Sequence, residues 1–377
     1  MRFEHVRLDS TPPCGRLGFC LTPDLTGNDR PDILIGGMGA EGRIDLLGRS
    51  VKMRQLPFGE RYFRFRESNV FWYENPGWKR HDVVTAPDLC VGASCGDIDG
   101  DGRPELVVGE NMGSRLFWFD PPEDPRASWT QRLITDRFQK YHDTLLADVD
   151  ADGEDELVIL SQQSGVVCYY DIPDDPRVAP WPDSHLHVVA DNLVVEGVAV
   201  TDLDRDGHPE LIAGPNVFFK NGAPDRWDRH ELEGDWEWTR VAVGDLTGNG
   251  REEIVLTEGD LPYHGDRRGR LGVVDTDTWR VNVLDDGLYN PHTVQLADMT
   301  GDGRVDIVVG EMDSGDYQMP RLLLYRNEGD GFVREEIHTG VGTHEAKVID
   351  IDGSGRLDIV GKSYGPRPHV DLWTQVA

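Results

Sequence analysis

Short apolar runs rich in Val, Ile and Leu recur along the chain, and seven of them are entered through a polar phrase of one design. The copies read DLTGNDRPDILIGG from Asp24, DIDGDGRPELVVGE from Asp97, DVDADGEDELVIL from Asp148, DLDRDGHPELIAG from Asp202, DLTGNGREEIVLTEG from Asp245, DMTGDGRVDIVVGE from Asp298 and DIDGSGRLDIVGK from Asp350. Each apolar run is too short for a buried helix and is bounded by Gly and Asp, so it reads as a strand entered from a turn. The segments between phrases supply three more strands. In the sixth unit these are HTVQLAD before the phrase, then RLLLYRN and FVREEIH after it. Third strands recur as VFWYEN, RLFWFD, VVCYYD, VFFKN, LGVVD and VDLW; fourth strands recur as WKRHDVV, WTQRLIT, HLHVVAD, WDRHELE and WRVNVLD.

A unit of about fifty residues holding four short strands is one blade of a propeller. The pattern therefore predicts an all-β protein: a seven-bladed β-propeller spanning 1–377 as a single domain, with a long loop insertion at 36–69 in the first blade. The last unit ends at VDLWTQVA, before a fourth strand. Phe3–Asp9, FEHVRLD, has the fourth-strand pattern and is expected to close the ring, which would remove the exposed sheet edges of an open array.

Oxygen side chains stand at positions 1, 3, 5 and 9 of every phrase, with glycine at the turn. Hard divalent cations take six to eight oxygens, so the spacing predicts Ca²⁺ loops between first and second strands. The ligand sets are Asp24, Thr26, Asn28, Asp32; Asp97, Asp99, Asp101, Glu105; Asp148, Asp150, Asp152, Glu156; and Asp202, Asp204, Asp206, Glu210. The remaining three are Asp245, Thr247, Asn249, Glu253; Asp298, Thr300, Asp302, Asp306; and Asp350, Asp352, Ser354, Asp358. Copies with Thr, Asn or Ser carry fewer charges and are expected to bind more weakly. Asp, Asn and Gly also form turns without metal, which is the plainer account of any single copy.

The net charge of −31 repels phosphate backbones and argues against a nucleic-acid partner. Five cysteines without CxxC spacing indicate neither a disulfide framework nor a zinc site. No apolar run reaches membrane-spanning length, and the opening MRFEHV lacks a leader pattern. A cytoplasmic protein with no membrane partner is expected, or a secreted one if a leader has been removed.

Chemistry is expected at the mouth of the central channel, on the face away from the acidic loops. Six residues before each leading aspartate lie Gly18, Val91, His142, Glu196, Thr239, His292 and His344. Three histidines and a glutamate in one seven-member set can hold a divalent transition metal or transfer protons. Blade-linking segments add Arg16, Lys140, Tyr141, Asp143, Trp236, Trp238, Arg240, Tyr289 and Glu345; second strands end in Glu110, Glu258, Glu311 and Lys362, followed by longer loops carrying Tyr263, His264, Tyr317 and Tyr364. Aromatic rings beside carboxylates and arginines suit a sugar ring. The insertion is basic, with Arg43, Arg49, Lys52, Arg54, Arg61, Arg64 and Arg66, and could cap the channel or face a partner subunit.

The seven phrases resemble FG-GAP (VCBS-type) repeats, the calcium-loop propeller repeats of integrin α chains and many microbial proteins. FWYENPGWKRHDVV, Phe71–Val84, is similar to the propeller of the aldos-2-ulose dehydratase group, sugar lyases that eliminate water from keto-sugars, and the architecture resembles that of propeller polysaccharide lyases. That resemblance implies a carbon–oxygen lyase acting by β-elimination on a keto-sugar or uronate-containing oligosaccharide. His142, His292 and His344 would serve as base or metal ligands, Lys140 or Arg240 as the neutralising cation, and Tyr141 or Tyr289 as the acid. Arg16, Glu196, Trp236, Trp238, Glu258, Glu311, Lys362 and Tyr364 would contact the substrate. The alternative is a non-catalytic, calcium-stabilised module that binds a glycan or protein.

Overall fold

In a computed structural model describing every residue except 40–42, 47–48, 53–67, 87, 223–225, 315–318, 366 and 377, the chain forms seven four-stranded antiparallel sheets. Strand β1 (Arg2–Asp9) comes first in sequence but belongs to the last sheet. Blade 1 is β2 (Leu17–Leu21), β3 (Ile33–Gly37), β6 (Val70–Glu74) and β7 (Lys79–Val84), interrupted by the hairpin β4 (Arg43–Leu46) and β5 (Arg49–Lys52). Blade 2 is β8 (Leu89–Gly96), β9 (Glu105–Glu110), β10 (Leu116–Asp120) and β11 (Thr130–Thr135). Blade 3 is β12 (Tyr141–Ala147), β13 (Glu156–Ser161), β14 (Val166–Tyr170) and β15 (Leu186–Ala190). Blade 4 is β16 (Val198–Thr201), β17 (Glu210–Ala213), β18 (Asn216–Lys220) and β19 (Trp227–Glu231). Blade 5 is β20 (Thr239–Gly244), β21 (Glu253–Glu258), β22 (Gly269–Asp275) and β23 (Arg280–Leu288). Blade 6 is β24 (Pro291–Ala297), β25 (Asp306–Glu311), β26 (Arg321–Asn327) and β27 (Phe332–Thr339); blade 7 is β28 (Glu345–Ile349), β29 (Asp358–Lys362), β30 (Val370–Val376) and β1.

Second strands such as β9 and β25 are buried along their whole length, because each blade is sandwiched between two neighbours. Their continuous apolar runs follow from that two-sided burial. The apolar cores lie between blades, one per interface. Trp72 and Val70 pack on Phe117 and Phe119 between blades 1 and 2, and Ile351, Val360 and Leu372 of blade 7 pack on Leu17, Ile33 and Phe71 of blade 1. The ring is therefore continuous, and β1 pairs with β30 in the register Phe3↔Gln375 and His5↔Trp373.

Three blades share a device at their outer edge. His81, His187 and His5, each on a fourth strand, lie opposite and over Trp72, Tyr169 and Trp373 of the third, with ring centroids 4.6, 4.8 and 5.0 Å apart. The same histidines meet a third-strand or adjoining carboxylate through Nε2: Glu74 at 2.8 Å, Asp171 at 3.1 Å and Asp371 at 2.8 Å. Each ring thus ties the outermost strand to the one inside it by one face and by its edge. The expected basic cap falls largely outside the described residues: Arg54, Arg61, Arg64 and Arg66 are not among them.

Candidate functional site

First strands line a central cavity of about 350 Å³, to which all seven blades contribute, among them Leu21, Ser94, Asp143, Arg240, His292 and Glu345. On one side the strands approach very closely. A Cβ on Gly18 would stand 2.3 Å from the carbonyl oxygen of Cys90, and one on Gly92 would stand 1.9 Å from that of His142. Glycine at these two places lets β2, β8 and β12 crowd together.

His292 lines this cavity, and His142, Glu196 and His344 gather beside it, each of the four 5% exposed or less. Lys140 and Asn290, each two residues before a cluster histidine, take left-handed φ values of 57° and 46°. Asn290 is fully buried and holds its turn by accepting the Tyr263 amide at 2.9 Å. Imidazole orientation is then set by partners. His142 Nδ1 lies 2.8 Å from the Asp143 carboxylate and its Nε2 faces Glu196 at 3.5 Å. His292 Nδ1 lies 2.7 Å from the carbonyl oxygen of His344, which leaves Nε2 toward Asp260 at 3.9 Å. The His292 and His344 rings stack at 3.9 Å, and Tyr364 stacks on the other side of His344 at 4.6 Å, with the Arg16 guanidinium 5.0 Å above the tyrosine.

Charge is arranged in opposed pairs. Asp143 accepts hydrogen bonds from Arg240 at 2.9 Å and from the Gly197 amide at 3.1 Å. Burial pushes its pKa up, but Arg240 and His142 outweigh that and hold the carboxyl well below the usual range. Burial lowers the His142 pKa while the Glu196 and Asp143 charges raise it, and the net shift is upward. Burial first, then neighbouring cations and imidazoles, pushes His292 and His344 well below the ordinary histidine value. Burial holds Glu196 up at about 7, and its Oε2 has no hydrogen-bond partner. Ligand atoms of Glu196, Asp260 and His292 all lie within 4.8 Å of one another, so these three could hold a metal ion.

Other residues singled out in the sequence go elsewhere. Tyr141 is fully buried in the core between blades 2 and 3, where its hydroxyl accepts the Phe138 amide at 2.9 Å. It does not reach the cluster, because successive strand residues face opposite sides and His142 takes the axial one. Trp236 packs in the core between blades 4 and 5, under the Arg270 guanidinium at 4.2 Å. Glu258 and Glu311 are fully buried within their blades, Glu258 paired with Arg267 and Arg270 and Glu311 with Arg321. Arg270 and Arg321 come from the third strands of the same blades, so both carboxylates are held by partners within their own blade. Lys362 is fully buried too, its Nζ occupied by the carbonyl oxygens of Leu17 and Gly18 and by His344 Nδ1. Tyr289 lies against Arg268 at 4.8 Å, and Trp238 against His264 at 4.7 Å. Lys140 is half-buried, and Tyr317 lies outside the described residues.

Asp260 and the pairing of Asp143 with Arg240 are absent from the sequence-based candidate set. Asp260 lies two residues past the end of β21, in the loop that carries Tyr263 and His264. The only signal for it was that second strands end on the mouth side.

The acidic loops lie between first and second strands on the opposite face. In all seven the ninth-position carboxylate accepts the amide of position two, as Glu105 does from Ile98 at 2.7 Å and Asp32 from Leu25 at 3.0 Å. Asp32, Asp306 and Asp358 spend their second oxygen on the amides of Asn75, Asn327 and Gln375. The longer Glu105 instead leaves Oε1 buried and without a partner, as are single oxygens of Asp99 and Asp150. Carboxylates converge closely enough to hold an ion in the loops that start at Asp97, Asp148, Asp202 and Asp350. The ninth residue is thus a backbone staple in the aspartate copies and leaves a free oxygen in the Asp97 loop.

An FG-GAP-like repeat model matches residues 97–159 and 298–361. Aldos-2-ulose dehydratase of Phanerodontia chrysosporium is 25% identical over 291 residues, covering 63% of this chain and 31% of that protein. The chain thus spans less than a third of the length of that relative. The crystal structure of the V. cholerae biofilm matrix protein Bap1 superposes with a TM-score of 0.53 at 10% identity, covering 100% of this chain and 88% of the other. At that identity the likeness concerns the fold. Seven sheets and seven phrases agree: the chain is a seven-bladed β-propeller, with FG-GAP-like repeats matched at residues 97–159 and 298–361.

Proposed function

We propose that the channel head is the active site of a carbon–oxygen lyase that acts on a carbohydrate by β-elimination. The observation that carries this reading is the convergence of His142, Asp143, Glu196, Arg240, His292 and His344 in one buried polar cluster, in a chain partly similar to aldos-2-ulose dehydratase. Elimination needs a base for the proton next to a carbonyl or carboxylate, and a donor or cation for the resulting enolate. His142 is the base in this reading. Its Nε2 faces the cluster while Asp143 holds Nδ1, the carboxylate–imidazole arrangement that stabilises an imidazolium once it forms. Arg16, Tyr364, Trp238 and the loop of Tyr263 and His264 form the rim on which a sugar would stack. Incubation with keto-sugars and with uronate-containing oligosaccharides is expected to generate an unsaturated product absorbing in the ultraviolet. No absorbance change with either class would overturn the proposal.

Glu196, Asp260 and His292 fit a divalent transition metal, since Glu196 Oε2 lacks a partner and His292 presents Nε2 to the same place. Such an ion would supply Lewis acidity toward a carbonyl oxygen.

The repeat loops are proposed to hold structural Ca²⁺, with those at Asp97 and Asp148 the best supported by their orphaned oxygens. In the metal-free state burial and the neighbouring carboxylates raise Glu105 to about 8 and Glu156 and Glu210 to about 7. The unfolded chain ionises these groups near about 4.3. Between those values folding binds protons, so metal-free stability falls as pH rises through that window. A chelated sample is expected to melt at a lower temperature at mildly alkaline than at mildly acidic pH. Added Ca²⁺ should raise Tm, most at the alkaline end. Equal melting curves with and without Ca²⁺ at both pH values would remove the assignment.

A further inference from the structure

The loops that join third to fourth strands in blades 2 and 3 are built on one motif, separate from the acidic phrases. Asp124-Pro125-Arg126 leads to Trp129, and Asp175-Pro176-Arg177 leads to Trp181. In each, the aspartate side chain accepts the arginine amide, at 3.2 and 3.1 Å, and the indole N–H donates to the proline carbonyl oxygen at 2.9 Å. Both tryptophans are buried, and their amides donate across to the preceding blade: Trp129 to the carbonyl of Val83 at 3.2 Å and Trp181 to that of Ile134 at 2.8 Å. Proline presets the turn and the indole anchors it, so the arginine between them is held toward the preceding blade.

What the arginine meets there differs. The blade 1 phrase has neutral Thr26 at its third position, and Arg126 pairs instead with Glu74 at the end of β6, through Nε at 3.1 Å. The blade 2 phrase has Asp99 at that position, and Arg177 pairs with its Oδ2. The Asp99 side chain is fully buried, yet Oδ1 has no partner; Glu105 is fully buried too, with Oε1 unpartnered. Ligand atoms of Asp97, Asp99, Asp101 and Glu105 lie within 4.8 Å of one another. One four-carboxylate set therefore holds two buried oxygens without partners, and a guanidinium from the next blade sits on one of its members. The following interface repeats the arrangement more loosely. Lys220, at the end of β18, stands 3.7 Å from Oδ2 of Asp150 in the blade 3 phrase, and Oδ1 of Asp150 is again unpartnered.

We propose that Arg177 is a built-in counter-ion of the Asp97 loop, supplied across the blade interface, which steadies the loop without metal and lowers its affinity for Ca²⁺. This rests on the reading of the repeat loops as Ca²⁺ sites. Four carboxylates crowded into one loop repel one another, and Arg177 on Asp99, together with Arg103 on Asp101, offsets part of that repulsion. A divalent cation supplies the same compensation itself and is repelled by a fixed positive charge on a carboxylate it must share. Arg177 thus acts with opposite signs on the empty and the filled loop. A residue that only props up the fold would weaken both when lost.

Arg177→Gln keeps an N–H donor for Asp99 and removes the charge, whereas Arg177→Met removes both. With chelator present, each variant is expected to melt below the parent. Calorimetric titration of the chelated, intact chain with Ca²⁺ should then show one site bound at least about tenfold more tightly in each variant than in the parent. That gain should vanish in a Glu105→Gln background, which removes a carboxylate from this loop alone. Affinity unchanged or weaker in the variants, or a gain that survives Glu105→Gln, overturns the proposal. Absence of Ca²⁺ binding by the parent removes the calcium reading and the affinity claim with it. The chelated melting curves need no metal and decide separately whether Arg177 steadies the empty loop; variants that melt with the parent there overturn that half.

Discussion

Replacement of His142 by asparagine is expected to slow elimination by about 10²–10⁴-fold, the range supplied by a positioned general base. Asparagine keeps a polar side chain of similar reach in a buried place, so circular dichroism and melting should stay close to the parent. The pH profile carries the more specific expectation. A base must be unprotonated, so kcat/KM should rise with pH through the His142 pKa, which the charges of Glu196 and Asp143 lift above its ordinary value against the effect of burial. Neutralising Asp143 as Asp143→Asn removes one of those charges and should move the rising limb to lower pH while reducing the plateau. A His142→Asn enzyme with parental kcat/KM, or an unmoved limb in Asp143→Asn, would take His142 out of the role of base.

The fold was legible because the repeat states it seven times. Phrase, apolar strand and fourth-strand pattern each recur, and even the displaced fourth strand of blade 7 could be found at Phe3–Asp9, now paired with β30. The cluster was legible only to the level of strand position. Six residues before the leading aspartate is a place in the repeat, and the His142, Glu196, His292 and His344 it picks out lie close together. Which way a side chain faces is a finer property. Tyr141 is adjacent to His142 and points into the blade interface, because strand residues alternate sides. Trp236, Glu258 and Glu311 sit at the mouth end of their strands in sequence, but third-strand arginines draw the two carboxylates inward and the indole fills a core. Lys362 has the position of a mouth residue and is consumed by two carbonyl oxygens and a histidine ring. Asp260 belongs to the loop beyond the second strand of the fifth unit, outside the phrase and the strand patterns that recur.

Exchange of Arg240 for methionine should destabilise the folded chain by about 3–5 kcal/mol, the cost of leaving a buried charge without its partner. Asp143 is 4% exposed, and with Arg240 gone it retains only His142 and the Gly197 amide as hydrogen-bond partners. The pH dependence fixes the sign. In the parent the Asp143 carboxyl lies well below its unfolded value of about 3.9, so its stabilising contribution is present above that pH and is lost as acid carries the solution below it. Without the guanidinium, burial acts unopposed by its largest counterweight and the carboxyl pKa rises. The charged form then costs stability at neutral pH, and acidification relieves that cost in the variant. Melting curves of parent and Arg240→Met should therefore lie far apart near neutrality and draw together as pH falls. Arg240→Met combined with Asp143→Asn should recover part of the loss, since the orphaned charge is gone. A variant that melts with the parent at neutral pH would show that Asp143 is held by other groups, and the opposed-pair account of the channel head would fail with it.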